Sequence, residues 1–216
     1  PILILILCGA FRYHTKNFSK VKNHFITLVQ PNIEQRHKWN LNKRDQHLNK
    51  LIMLSSNQDF KYNNKNRIII WPETSFEGSI PKEMKLLSFI GKDVIKSPKN
   101  YLIAGLLRTE ESKLFNSLVF LNFKGEILYK YDKIHLVPFG EYIPFRKYLT
   151  MFSQYMPQKD FKSGKFESNP NIDGLGSIIT LICYEILFAE QIVNRLSNNT
   201  NLLINITNDA WFGKTI

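Results

Sequence analysis

At 216 residues, 44% hydrophobic and 13% aromatic, the chain is long enough for one domain with a real core. Two cysteines, Cys8 and Cys183, cannot build a disulfide framework or a zinc site. The five histidines lack ligand spacing and neither GxxxxGK nor GxSxG occurs, so metallohydrolase, P-loop and serine hydrolase chemistries are not expected. A net charge of +11, from 29 Lys+Arg against 18 Asp+Glu, suits an anionic partner such as nucleic acid or a phospholipid surface. The basic residues are scattered, abundant Lys, Asn and Ile explain the charge as composition, and no nucleic-acid recognition motif accompanies it.

The first residues, "PILILILCGAF", are apolar without interruption and give way to the basic "RYHTKNFSKVKNH". Eleven residues are fewer than the about 20 that cross a bilayer. A buried strand, a signal-peptide core and the tail of a membrane helix compete for the segment. A Pro start without a basic leader disfavours the signal peptide, and the favoured expectation is the end of a truncated transmembrane helix over residues 1–12. Residues 13–22 are then a linker and 23–216 the folded domain.

Short β-branched runs follow in order: "HFITLVQ", "NRIIIWPE", "YLIAGLL", "NSLVFLN", "SIITLICYE" and "NLLINITND". They alternate with helix-compatible stretches at Trp39–Gln58, Pro81–Lys92 and Phe188–Leu196. Continuous apolar runs imply strands covered on both faces, hence an α/β sandwich. "FNSLVFLNFKGEILYKYDK" holds two runs joined by a Gly-containing hairpin connection, which makes the sheet mixed. The long irregular stretch Tyr155–Ser177 reads as a surface loop.

In open α/β sheets functional groups collect beyond the carboxyl ends of the strands. Here those ends carry Glu73 in "IIIWPE", Lys133 in "LYKYDK", Cys183 in "ITLIC", and Asn208 with Asp209 in "LINITND". A thiol is a poor nucleophile at neutral pH until a base takes its proton or a cation stabilises the thiolate. Glu73 can be that base, and Lys133 can hold both the thiolate and the oxyanion of an attacked carbonyl. His135, beside Lys133, is read as structural.

The trio within "WPE", "YDKIHLVPFGE" and "CYE" resembles the Glu-Lys-Cys triad of the nitrilase, or carbon–nitrogen hydrolase, superfamily. The strings "VQPNIEQRHKW", "WPETSF", "YDKIHLVPFGEYIPF", "LICYEILF" and "NITNDAWFG" resemble one branch of it, the bacterial apolipoprotein N-acyltransferases.

That resemblance implies an α-β-β-α sandwich of mixed sheets, preceded by transmembrane helices and continued past the "WFGKTI" at which this chain stops, so the domain is expected to be incomplete at its C-terminus. It implies Glu73 as general base, Lys133 as oxyanion stabiliser and Cys183 as nucleophile. Glu141, Tyr184 and Glu185 match supporting residues, the Tyr184 N–H supplying part of the oxyanion hole. Trp39 and Trp211 match tryptophans near the substrate. The implied reaction moves the sn-1 acyl chain of a phospholipid, through a Cys183 thioester, to the α-amine of a diacylglyceryl-cysteine at the N-terminus of an apolipoprotein, without metal or cofactor. The expected partners are phospholipid, apolipoprotein and membrane, with no nucleic acid, and the expected place is the bacterial inner membrane with this domain facing the periplasm. Keeping water from a thioester calls for hydrophobic lids, with Phe139–Phe145 and Met151–Met156 as candidates. A soluble amidase or nitrilase on the same triad is the alternative.

Overall fold

The computed structural model describes residues 2–15, 24–34, 40–56, 66–78, 84–148, 159–173 and 175–209. The apolar opening folds as a helix, α1 (Ile2–Thr15), with no buried residue. Ile2 is 74% exposed, and its apolar neighbours are nearly as open. A helix apolar on every side belongs to a core or a membrane, not to a water-facing surface. At about 1.5 Å per residue it spans about 21 Å, against a hydrocarbon core of about 30 Å. Among the described residues no helix is long and apolar enough to cross a membrane.

The apolar runs become strands of two sheets. The first is built from β1 (His24–Leu28), β2 (Asn66–Ile70), β3 (Phe76–Gly78), β4 (Tyr101–Glu110), β5 (Lys113–Leu121) and β6 (Ile127–Asp132). Its order is β1-β2-β4-β5-β6, with β3 continuing along β4 beyond β2. The pairs β1–β2, β2–β4 and β3–β4 are parallel, whereas β4–β5 and β5–β6 are antiparallel. The sheet is mixed because "NFKGE" closes a hairpin: Gly125 takes a φ of +79°, open to glycine at little steric cost. The second sheet holds β7 (Asn171–Ile172), β8 (Gly176–Ile182) and β9 (Thr200–Ile206), with β8 and β9 parallel.

Two cores order the layers. On one face of the first sheet, Ile69, Trp71, Leu102 and Val119 pack with Leu51 of α2 (Arg44–Ser56) and with Leu87 and Ile90 of α3 (Met84–Ile90). Leu48, Leu51, Ile52 and Ser55 recur at helical spacing, which turns one side of α2 to the sheet. On the other face Ile68, Ile103, Leu118 and Phe120 meet Ile178, Ile182, Ile204 and Ile206 of the second sheet. Strands covered on both faces have to be apolar throughout, which is the pattern of their sequence. A last short helix, α4 (Ala189–Asn194), follows β8 and buries none of its residues.

The stretch Tyr155–Ser177, expected as a surface loop, holds β7 and the first residues of β8, and its earlier part pairs with the first sheet. Lys162 N–H donates to the Leu114 carbonyl at 2.7 Å and Gly164 N–H to the Lys133 carbonyl at 2.9 Å. β4 pairs one edge of β5 from Lys113 on, but β6 covers the other edge only from Ser117, and Phe161 and Lys162 take its place beside Leu114.

Between β2 and β3 the chain bulges. Ile70 pairs with Ile103 and Phe76 with Leu106, so Trp71 to Ser75 run past a shorter piece of β4. Pro72 has no N–H to give the ladder, and Thr74 takes a φ of +49°. The bulge sits on Gly105, where a Cβ would come within 2.6 Å of both the Glu73 Cα and the Pro72 carbonyl oxygen. Gly105→Ala is therefore expected to cost about 1–3 kcal/mol, with thermal unfolding as the measure, and to shift Glu73. An unchanged melting temperature would show that the bulge yields freely.

Candidate active site

The candidate groups meet where the carboxyl ends of β2, β6, β8 and β9 converge between the sheets. The bulge carries Glu73, which is 8% exposed. Lys133 is the residue after β6 and is 1% exposed, deeper than a lysine goes without partners. Its Nζ donates to Glu141 Oε1 at 3.0 Å and lies 3.7 Å from Glu73 Oε1. Glu141 is itself held by the Val137 N–H, which donates to Oε2 at 2.9 Å. Asn208, just past β9, donates its backbone N–H to Glu73 Oε2 at 3.2 Å.

Between the two carboxylates stands Asn116 of β5. Its Nδ2 donates to Glu73 Oε1 at 2.7 Å and to Glu141 Oε1 at 2.9 Å. The reading of the sequence passed over this residue, although a signal was there: "FNSLVF" puts an amide on the strand face that Leu118 and Phe120 make apolar. A buried amide on such a face needs polar partners, and the two carboxylates are those partners.

Cys183 follows β8 directly and has a φ of +54°. This left-handed conformation costs a non-glycine residue about 1–3 kcal/mol and persists only where its surroundings hold it. One hold is Glu185, 2% exposed. Its Oε2 accepts from the Ile182 N–H at 2.9 Å, and its Oε1 from the N–H groups of Ile134 at 2.7 Å and His135 at 3.1 Å. Tyr131 O–H also donates to it, at 2.9 Å. Glu185 thus ties the cysteine turn to the segment that leaves Lys133.

The thiol titrates above its ordinary value. Burial is the main cause and the negative charge of Glu73 the second; the Thr207 side chain, the Lys133 charge and the Tyr184 N–H pull the other way. At neutral pH the sulfur is therefore protonated, and a reaction through it needs a base. Tyr184 itself is exposed and touches Phe188 edge-on. His135 stacks on Phe188 with ring centroids 4.0 Å apart. Trp39, Trp211 and Met151–Met156 lie outside the described residues. In the other lid candidate, Phe139 and Phe145 are exposed and have positive φ. A cavity of about 480 Å³ opens beside Glu73, walled by Val29, Trp71, Phe76, Ile206, Arg44 and His47 among others.

The model of the carbon–nitrogen hydrolase family matches residues 25–216. The chain belongs to that family. Among curated relatives, it is 34% identical to an apolipoprotein N-acyltransferase of Rhizobium leguminosarum bv. trifolii, over 90% of the chain and 38% of that protein. It is 32% identical to one of Wigglesworthia glossinidia brevipalpis, over 100% of the chain and 44% of the relative. The chain thus spans about two fifths of the length of these relatives. Among solved structures, an amidase of Nesterenkonia sp. AN1 matches with a TM-score of 0.58 at 15% identity, covering 89% of this chain and 68% of that one. This likeness bears on the fold, a nitrilase-like α/β sandwich with mixed sheets.

Proposed function

We propose that this domain catalyses N-acylation of apolipoproteins through a thioester on Cys183, with Glu73 as base and Lys133 as oxyanion stabiliser. What carries the reading is the likeness along nearly the whole chain to relatives of that name, joined to a buried Lys133 between two carboxylates beside a cysteine on a strained turn. In the acylation step Glu73 takes the Cys183 proton and the sulfur bonds to the sn-1 ester carbonyl carbon of a phospholipid. The carbonyl electrons move to the oxygen, which Lys133 and the Tyr184 N–H receive. When they return, the ester C–O bond breaks and protonated Glu73 gives its proton to the departing lysophospholipid.

The α-amine of a diacylglyceryl-cysteine then attacks the thioester and yields a proton to Glu73. The C–S bond breaks, the sulfur regains that proton, and an N-acylated lipoprotein leaves. No step draws on a metal or cofactor. Glu141 and Glu185 act by position, the first on Lys133 and the second on the cysteine turn. The cavity beside Glu73 offers apolar wall for a hydrocarbon segment, with Trp39 and Trp211 as further substrate contacts. The exposed apolar α1 fits a membrane segment and supports a station for the domain at the periplasmic face of the inner membrane.

The test incubates the intact protein in detergent or liposomes with phospholipid labelled in its sn-1 chain. Wild type is expected to gain a hydroxylamine-labile acyl group that passes to a diacylglyceryl-cysteine peptide. Cys183→Ala is expected to gain none while unfolding at an unchanged temperature. Folded wild-type protein that stays unlabelled yet hydrolyses simple amides would sink the acyltransferase reading and leave an amidase.

A further inference from the structure

The Cys183 turn is held from a second side, by β9. The ladder between β8 and β9 ends with Ile182 opposite Ile206, so the Cys183 carbonyl lies past the last strand pair. Its oxygen accepts instead from Asn205 Nδ2, at 3.1 Å. Asn205 Oδ1 is buried and has no hydrogen-bond partner among the described residues. Such an orphan is costly, and an aliphatic side chain at this strand position would avoid it. An asparagine with one end unsatisfied serves the fold poorly; its other end serves the turn.

We propose that Asn205 is a positioning residue for the nucleophile: its amide holds the Cys183 carbonyl and so fixes the left-handed turn that presents the thiol to Glu73, Lys133 and the Tyr184 N–H. The inference rests on Cys183 being the nucleophile. Without the Asn205 donor the turn has only the Glu185 side to hold it, and the positive φ relaxes toward an ordinary value. The sulfur then moves away from the Lys133 charge and the Tyr184 N–H, which favour its thiolate, and thiolate formation shifts to higher pH.

The test compares wild type, Asn205→Ala and the isosteric Asn205→Asp in the intact protein. Alkylation of Cys183 by iodoacetamide is followed across pH by peptide mass spectrometry, with an added cysteine-containing peptide as internal reference. Both variants are expected to slow alkylation of Cys183 at neutral pH by about tenfold or more and to move its pH midpoint upward. The added peptide should be unaffected, and in acyl transfer kcat should fall while KM for phospholipid holds. A lower melting temperature with the alkylation profile and kcat unchanged would overturn the proposal and leave Asn205 a structural residue. If wild type forms no acyl adduct with phospholipid, the acyltransferase reading fails, while the alkylation profile still decides on Asn205.

Discussion

Lys133→Met is expected to lower acyl transfer by about 10²–10³-fold, the loss that follows removal of one oxyanion donor, and to destabilise the domain by about 3–5 kcal/mol. The two effects have separate causes. The loss of rate comes from the ammonium that would face the developing oxyanion. The loss of stability comes from what stays behind, since Glu73 and Glu141 share this lysine at 3.7 and 3.0 Å and are themselves little exposed. Methionine fills the volume of the stem but leaves both carboxylates without their cation. The double variant Lys133→Met/Glu141→Gln removes one of those charges, and it should regain much of the stability and none of the activity. Thermal unfolding and transfer from labelled phospholipid, measured on the same preparations, separate the two. Wild-type rates in Lys133→Met would end the oxyanion role. A double variant no more stable than the single one would show that the carboxylates were not the source of the loss.

Strands and their order of appearance were legible because a strand buried on both faces must be apolar along its length, and "NRIIIW", "YLIAGLL" and "SIITLI" have little other use. The strand-end rule brought out Glu73, Lys133 and Cys183 because chemistry-bearing side chains follow those runs directly. What stayed hidden depends on pairing between distant segments. Nothing local in "FNSLVF" says that its amide reaches two carboxylates, one 43 residues earlier and one 25 later. The bulge on Gly105 is equally silent, because it exists only where the Pro72–Glu73 backbone crosses β4. Tyr155–Ser177 reads as loop for a similar reason: β7 is two residues long, and residues 161–164 have no strand pattern of their own and gain their partners only because the chain departs after β6. Glu185 shows the middle case. Its place after Cys183 was plain, but its reach to the N–H groups of Ile134 and His135 depends on how the two sheets pack.

Asn116→Asp should turn the quietest member of the site into its most disruptive one. The side chain keeps its shape, but the Nδ2 that now donates to Glu73 and Glu141 becomes an oxygen, and three carboxyl groups then face one ammonium. Like charges at hydrogen-bond distance raise a carboxyl pKa, so the introduced carboxyl titrates in the folded protein above its unfolded value of about 3.9. Below about pH 3.9 the group is protonated in both states and costs nothing by this route. As pH rises through the folded value the protein must ionise it against two neighbours. Each unit of upward shift removes about 1.4 kcal/mol of stability by neutral pH. The melting temperature of Asn116→Asp should therefore fall further below that of wild type as pH rises from about 4, levelling off once the folded group has ionised. Transfer activity should drop at least about a hundredfold at neutral pH, because Glu73 and Lys133 are drawn out of register with Cys183. Asn116→Ala supplies the contrast: it removes the donor without adding a charge, so its deficit against wild type should be smaller and nearly independent of pH. Parallel pH profiles for the two variants would mean that Asn116 does not bridge the carboxylates, and that Lys133 with the Val137 and Asn208 N–H groups holds them without it.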